Sequence, residues 1–263
     1  MTTTAPSLTV ILLTRNEARH LAACLRTLAF AERRIVLDCG STDGTQEIAK
    51  ANGAELFHRD FDDFSSQRNH ALTLTNSEWV LMIDADERVP SGLAEEICAV
   101  VNANPPRPEN AFRLPRRNYY LGKPLRIAGA GRDSVVRLFR KGKIRWENLV
   151  HESVKVEGAT GELLTPLEHH TVTELADSLR KMTQYSLLSG QELHRRGRRT
   201  NPLAILTHTA ARFLKVYIFH LGVLEGGRGL LIAGCESAGV FFKYSRLWEL
   251  QRTAAPETAK IIG

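Results

Sequence analysis

The chain has 263 residues, 43% of them apolar, so one large domain with a full core can form, alone or with a smaller appendage. Its four cysteines, Cys24, Cys39, Cys98 and Cys235, are too scattered for a zinc knuckle or a redox pair. The formal net charge of +6 asks for an anionic partner, which could be nucleic acid, a membrane surface or a phosphorylated substrate.

The N-terminus lacks a basic segment, and its apolar run from Leu8 to Leu13 is too short for a signal peptide. That run fits a first strand. Glu17 to Leu28 predicts a helix with Leu21, Cys24, Leu25 and Leu28 on one face. Arg34 to Leu37 reads as a second strand. "STDGTQEIAKANG" opens and closes a second helix, which Gly53 ends. "AELFHRD" is a short strand, Phe64 to Thr73 a helix, and Trp79 to Ile83 a buried strand. Strands alternating with helices predict a largely parallel sheet, with ligands at the carboxyl ends of the strands.

A proline-rich break spans Pro105 to Pro108. Shorter β-like pieces follow in "AFRLPRRNYYL", "SVVRLFRKGKIRW" and "SVKVEG". Beyond His170 the pattern turns helical, with further helices over Leu203 to Leu221 and Leu230 to Leu250. The division expected is residues 1–170 as an α/β domain and 171–263 as a helical extension. No stretch of about 20 uncharged apolar residues occurs, so no spanning helix is expected.

The acids in "WVLMIDADERV" crowd the tip of a buried strand. Asp84 and Asp86 are two apart, and on a strand such residues share a side. Two carboxylates there can hold Mg²⁺ or Mn²⁺, and the cation can grip a diphosphate. The plainer alternative is a solvated turn that caps the next helix. Asp38 follows another strand and can accept hydrogen bonds from a base or ribose, or merely stabilise its turn. "LDCGSTDGT" fails as a calcium loop, because Cys39, Ser41 and Lys50 stand where acids are required. A glycine-rich dinucleotide turn, a phosphate-cradling P-loop and a nucleophile elbow are all missing. "VHES" sets His151 beside Glu152, which would point to opposite sides of a strand.

Together, "VILLTRNEARHLAACLRTL", "IVLDCGSTDGTQEIA", "SSQRNHAL" and "WVLMIDADERV" resemble the family 2 glycosyltransferases, which have a GT-A fold. The later half, in "VVRLFRKGKIRWENLVHESV", "LRKMTQYS" and "FLKVYIFHLGVLEGGRGLLIA", is similar to the bacterial lipopolysaccharide core β-1,4-glucosyltransferases. The resemblance implies that Leu13, Thr14, Arg15 and Glu17 line a donor pocket, Leu13 and Arg15 largely through backbone. It implies that Asp38 contacts the nucleoside, Arg68 lies near base or phosphates, Asp84 meets the ribose, and Ala85 sits beside it. Asp86 would hold the metal, Mg²⁺ or Mn²⁺, with His169 completing the site. His170 stands where the branch has an aromatic residue, so the choice between the two histidines is open. Glu152 matches the catalytic base. The implied donor is a UDP-sugar, with glucose as the guess, and the implied acceptor is a lipid-linked cell-surface glycan.

On this reading one in-line displacement inverts the anomeric carbon, and Glu152 takes the proton of the acceptor hydroxyl. A polyprenyl phosphate acceptor is the enzymatic rival, since it is already ionised and needs no base. A catalytically silent sugar-nucleotide-binding subunit is the rival from another class. Nucleic acid is not an expected partner, because the basic residues are not interleaved with stacking aromatics. In "LAILTHTAARFLKVYIFHLGVL", His208, Arg212 and Lys215 form a narrow basic stripe. Leu206, Ala210, Phe213, Leu214, Tyr217 and Leu221 cover the other side. Such a helix suits an anionic membrane surface and predicts a cytoplasmic enzyme peripheral on the inner membrane. The alternative is packing on the first domain or on a second copy in a homo-oligomer.

Overall fold

A computed structural model describes residues 7–125, 133–147, 153–172 and 174–253. The strands are β1 (Leu8–Thr14), β2 (Arg33–Asp38), β3 (Glu55–His58), β4 (Trp79–Asp84), β5 (Glu87–Arg88), β6 (Ala111–Tyr120), β7 (Lys123–Pro124), β8 (Ser134–Arg140), β9 (Ile144–Glu147), β10 (Ser153–Val156), β11 (Thr160–Glu162) and β12 (Leu167–Val172). The helices are α1 (Ala18–Thr27), α2 (Thr45–Ala51), α3 (Phe64–Ala71), α4 (Ser91–Val101), α5 (Leu175–Arg195), α6 (Pro202–Leu214) and α7 (Gly227–Thr253). The chain divides into two compact units, Met1–Asn118 with Arg132–Thr171, and Tyr119–Gly131 with Val172–Gly263.

In the first unit the main sheet runs β3-β2-β1-β4-β8-β6-β12-β5. The expected parallel order holds from β3 to β4. Beyond β4 the pairing turns antiparallel through β8 and β6. β1 is buried on both faces, which is why it reads as an unbroken apolar run. Val10 and Leu12 face one core with Leu21, Cys24, Leu25 and Leu28 of the α1 segment. Ile11 faces the other, with Ile35, Leu37, Met82 and Phe139. The period-2 alternation of one strand thus feeds two cores. Helix α4, not anticipated above, buries Leu93, Ile97 and Val101, one residue per turn. The chain visits β2 and β3 on one side of β1 and then crosses to β4 on the other. This reversal opens a crevice at the carboxyl ends of β1 and β4, where Leu13 pairs with Asp84.

In the second unit α5 and α6 both pack on α7. Gly190 lets α5 approach closely, since a Cβ there would lie 2.6 Å from the Lys243 carbonyl oxygen. Val216, Ile232 and Ala233 bury against Tyr120, with Phe213 and Tyr217 beside them. The basic stripe expected on α6 is divided between α7 and the surface, with Lys215 exposed. The His208 ring stacks on Tyr244 at 4.5 Å, and Arg212 pairs with Glu236, both on α7. The expected apolar face is divided as well, with Phe213 and Tyr217 packed inside and Leu206 and Leu214 exposed. Among the described residues no helix is long and apolar enough to cross a membrane.

Candidate active site

Two loops beside the crevice are fastened to each other by side chains reaching backbone. After β1, the Asn16 N–H donates to Ser41 Oγ at 2.8 Å, and the Glu17 N–H donates to Thr45 Oγ1 at 2.9 Å. In return the Thr42 N–H donates to Asn16 Oδ1 at 2.8 Å, and the Ala18 N–H to Asp43 Oδ2 at 3.1 Å. Asn16 takes a left-handed backbone (φ 57°), which asparagine tolerates better than most residues. Asp38 organises the second loop. Its carboxylate accepts from Thr14 and Ser41 hydroxyls, from the Gly40 and Ser41 N–H groups, and from the Gln46 amide. Burial opposes its charge, but these donors outweigh burial and hold its pKa below the usual carboxylate value. A carboxylate has about four lone-pair sites. Five donors meet the Asp38 carboxylate, which has no exposed surface, so it stiffens the loop.

The acids at the tip of β4 have separate partners. β4 ends at Asp84, so Asp86 lies in the turn beyond it and the shared-side rule for strands does not apply. The two acids still feel each other, since the Asp84 charge works to raise the Asp86 pKa while His169 lowers it. Asp84 meets Arg137 of β8 and, at 3.3 Å, Arg68 of α3. Burial disfavours its charge, yet the two guanidinium groups more than compensate and hold it well below the ordinary range. Glu87 is fully buried and takes Arg137 at 2.7 Å and the Asp84 N–H at 3.0 Å, with Arg116 at 3.8 Å. Burial wins there and pushes the Glu87 pKa up despite Arg137. Arg88 clamps the turn by donating to the Ala85 and His20 carbonyls at 2.8 and 3.0 Å.

Asp86 Oδ2 faces His169 Nε2 at 3.5 Å. β12 pairs antiparallel with β5, His169 opposite Glu87, which brings the histidine to the turn. Strand alternation sends His170 the other way, towards Glu168 at 3.6 Å. On the far side of the His169 ring, Nδ1 lies 2.8 Å from Oδ1 of the buried Asn118. That oxygen can only accept, so Nδ1 donates to it, while Nε2 faces Asp86, whose pKa the His169 contact lowers. A carboxylate oxygen and an imidazole nitrogen at this distance suit a proton or a cation between them. A side chain fixing the tautomer from behind is the usual support of a metal-binding histidine. Among the described residues no three of His, Cys, Asp and Glu converge, so a divalent ion here would draw its remaining ligands from phosphate and water, as Mg²⁺ commonly does. The residues present fit such an ion.

The Glycosyl transferase family 2 profile matches residues 9–107, the stretch that builds the crevice and its acids. The chain carries a family 2 glycosyltransferase domain. Relatives extend the likeness over about nine-tenths of the chain. The lipopolysaccharide core biosynthesis glycosyltransferase LpsC of Rhizobium meliloti is 24% identical over 253 residues, covering 90% of this chain and 93% of its own length. An uncharacterized glycosyltransferase of Rickettsia prowazekii is 24% identical over 254 residues, covering 92% and 87%. Among solved structures, glucosyl-3-phosphoglycerate synthase from Mycobacterium tuberculosis, in complex with Mn²⁺, UDP-glucose and phosphoglyceric acid, is 21% identical over 44% of this chain and 45% of that one, with a TM-score of 0.36. S. aureus TarS is 13% identical over 70% and 39%, with a TM-score of 0.45. The protein is a glycosyltransferase with a GT-A fold.

Of the site residues expected from sequence, this glycosyltransferase gathers Leu13, Thr14, Arg68, Asp84, Ala85, Asp86 and His169 at the carboxyl ends of β1 and β4 and the strands beside them. Arg15 is exposed there, 6.0 Å from the centre of the Phe61 ring, and Glu17 fastens the loop through its N–H. His151 and Glu152 lie outside the described residues. Three residues of the site are absent from the sequence reading: Arg137, Arg116 and Asn118. Arg137 had a signal, since it interrupts the apolar alternation of "SVVRLFR" and is nonetheless buried. Asn118 had none, because nothing in the β-like piece "AFRLPRRNYYL" sets it apart.

Proposed function

We propose that the protein transfers a sugar, glucose first among the candidates, from a UDP-sugar to a hydroxyl of a lipid-linked glycan such as lipopolysaccharide core, with inversion and with Mg²⁺ or Mn²⁺ as cofactor. The observation that carries the reading is the Asp86–His169 pair at the crevice, its ring held by Asn118. The relationship to LpsC supports the class of acceptor. Leu13, Thr14, Arg15 and Glu17 would frame the nucleoside with backbone and side-chain groups of the loop that Asp38 stiffens. Arg68 would turn part of its charge to the diphosphate. Asp86 and His169 would hold the divalent ion, which when bound supplies positive charge for the leaving diphosphate. Asn118 keeps the His169 ring directed to that point. Glu152 would take the proton from the acceptor hydroxyl as it attacks the face of the anomeric carbon opposite the diphosphate. A lipid-linked acceptor places the enzyme peripherally on the inner membrane, facing the cytoplasm.

The test is a screen of nucleotide sugars for binding and hydrolysis, with Mg²⁺, with Mn²⁺ and with excess chelator. One UDP-sugar should bind and turn over only with metal, and the transferred sugar should have inverted configuration. Full turnover in chelator, or binding of no nucleotide sugar, sinks the reading.

A further inference from the structure

The elbow between α6 and α7 holds an unusual amount of apolar surface outward. Phe219 is 78% exposed and Leu224 66%, with Ile218, Leu221 and Val223 about half exposed beside them. These side chains are held out by a built turn. Leu221 adopts a left-handed backbone (φ 56°), a conformation that leucine seldom takes. Gly222 and Gly229 cross so closely that a Cβ on Gly229 would lie 1.7 Å from the Gly222 carbonyl oxygen. The turn also satisfies its own backbone. His220, Leu221, Leu224 and Gly226 donate their N–H groups to the carbonyls of Lys215, Ile218, Leu221 and Val223 at 2.8 to 3.1 Å. Backbone of that kind can leave water without the cost of unpaired amides.

Charge around the elbow has one sign outward. Lys215 is exposed on its α6 side. Lys123 and Arg228 line a shallow pocket of about 300 Å³ with Leu224. The acid in that pocket, Glu225, is buried and paired with Arg228 at 3.0 Å. The wider chain repeats the pattern. Residues 172–263 carry thirteen Lys and Arg against seven Asp and Glu, while the rest of the chain is balanced, so the whole net charge of +6 sits in this part.

We infer that this elbow is the membrane anchor: Phe219 and Leu224 enter the hydrocarbon edge of an anionic bilayer, and Lys123, Lys215 and Arg228 lie at the level of its phosphates. The inference rests on the peripheral attachment proposed above and names the element that makes it. It differs from an anchor along the flank of α6, whose His208 and Arg212 are engaged by α7. Apolar insertion together with basic residues is the combination that gives reversible attachment to anionic lipid.

The experiment uses the full chain and vesicles of phosphatidylglycerol with phosphatidylethanolamine, against pure phosphatidylcholine, at low salt. Three proteins are compared by sedimentation: wild type, Phe219→Ser/Leu224→Ser, and Leu203→Ser/Leu206→Ser on the flank of α6. All substituted positions are exposed, and thermal melting confirms each fold. The wild type should bind anionic vesicles, the elbow variant should bind at least about tenfold more weakly, and the flank variant should stay within about threefold of wild type. If the flank variant loses binding and the elbow variant keeps it, the inference falls and peripheral attachment stands. If the wild type ignores anionic vesicles, both fall. If light scattering shows a dimer that the elbow variant splits, with vesicle binding unchanged, a second copy covers the elbow and the inference is wrong. Metal-dependent hydrolysis of the donor in solution, measured on the same samples, tests the glycosyl-transfer reading separately and should be equal in all three.

Discussion

The two units use their polar and apolar groups in opposite ways. The first turns its charge inward. Asp38, Asp84 and Glu87 are each met by arginines, hydroxyls or N–H groups, and the unit holds twenty Lys and Arg against twenty-two Asp and Glu. The second buries few large side chains, leaves Phe219 and Leu224 in the open, and carries fifteen Lys and Arg against seven Asp and Glu. A unit that must recognise a compact anionic donor benefits from rigid, pre-set groups, because each one held in place lowers the cost of ordering at the moment of binding. A unit that meets a surface needs area and charge more than fixed geometry. On this view substitutions in the first unit should separate binding, metal and chemistry sharply, and the largest effect should come at the metal.

Asp86→Ala should remove metal-dependent turnover, a fall of at least about 10³-fold, because it deletes the carboxylate that faces His169. Nucleotide-sugar hydrolysis across a Mn²⁺ titration checks it, and activity that returns at high Mn²⁺ with an unchanged maximum would place the ion elsewhere. The next effect is on stability. Arg137→Met leaves Asp84 and Glu87 without their shared partner, and removing one member of a buried charge cluster costs about 3–5 kcal/mol. Denaturant melts measure this. Adding Glu87→Gln, which keeps an acceptor for the Asp84 N–H, should recover part of the loss.

Glu152→Gln should keep donor affinity within a few-fold and cut turnover by about 10²-fold. Steady-state kinetics with acceptor decides it, and a turnover that barely changes would favour a polyprenyl phosphate acceptor. A smaller effect is expected behind the metal. Asn118→Leu keeps the volume of the side chain but frees the His169 ring to turn, so the Mn²⁺ concentration for half-maximal activity should rise about 10- to 100-fold with little change at saturation. If saturating metal does not restore the rate, Asn118 acts on something other than the histidine.

What the sequence disclosed follows the same division. The buried strands and α1 were legible because two-sided burial writes a continuous apolar run, and a single buried helix face writes Leu21, Cys24, Leu25 and Leu28. His169 was narrowed to one of two adjacent residues, and only the register of β12 against β5 shows which ring turns to Asp86. Arg137 and Asn118 reach the site from β8 and β6, distant in sequence, so no local pattern ties them to Asp84 or His169. On α6 the stripe of His208, Arg212 and Lys215 is divided, the first two meeting α7 and Lys215 standing exposed. A stripe of His208 and Arg212 fits a partner helix with Tyr244 and Glu236 as well as it fits lipid phosphate, and the sequence does not say which is nearer.

The smallest expected effect tests whether the first unit is pre-set as described. The Asp38 pKa is lowered in the folded protein, with burial opposing and five donors favouring the charged form. A depressed folded pKa means that the unfolded chain binds the proton more readily. The carboxylate therefore contributes its full stabilisation above its unfolded pKa of about 3.9, and this contribution is lost as the pH falls through the lower folded value. Asp38→Asn should then cost about 1.5 kcal/mol at pH 7, the scale of one hydrogen bond to a charged group. Its deficit relative to wild type should shrink as the pH drops below about 4, since only the wild type still has that charge to lose. Other carboxylates titrate in the same range, so the informative quantity is the difference between the two proteins at each pH, taken from urea melts between pH 3 and pH 7. A deficit constant across that range would mean that the amide merely fits badly and that the loop does not draw its order from the charge on Asp38.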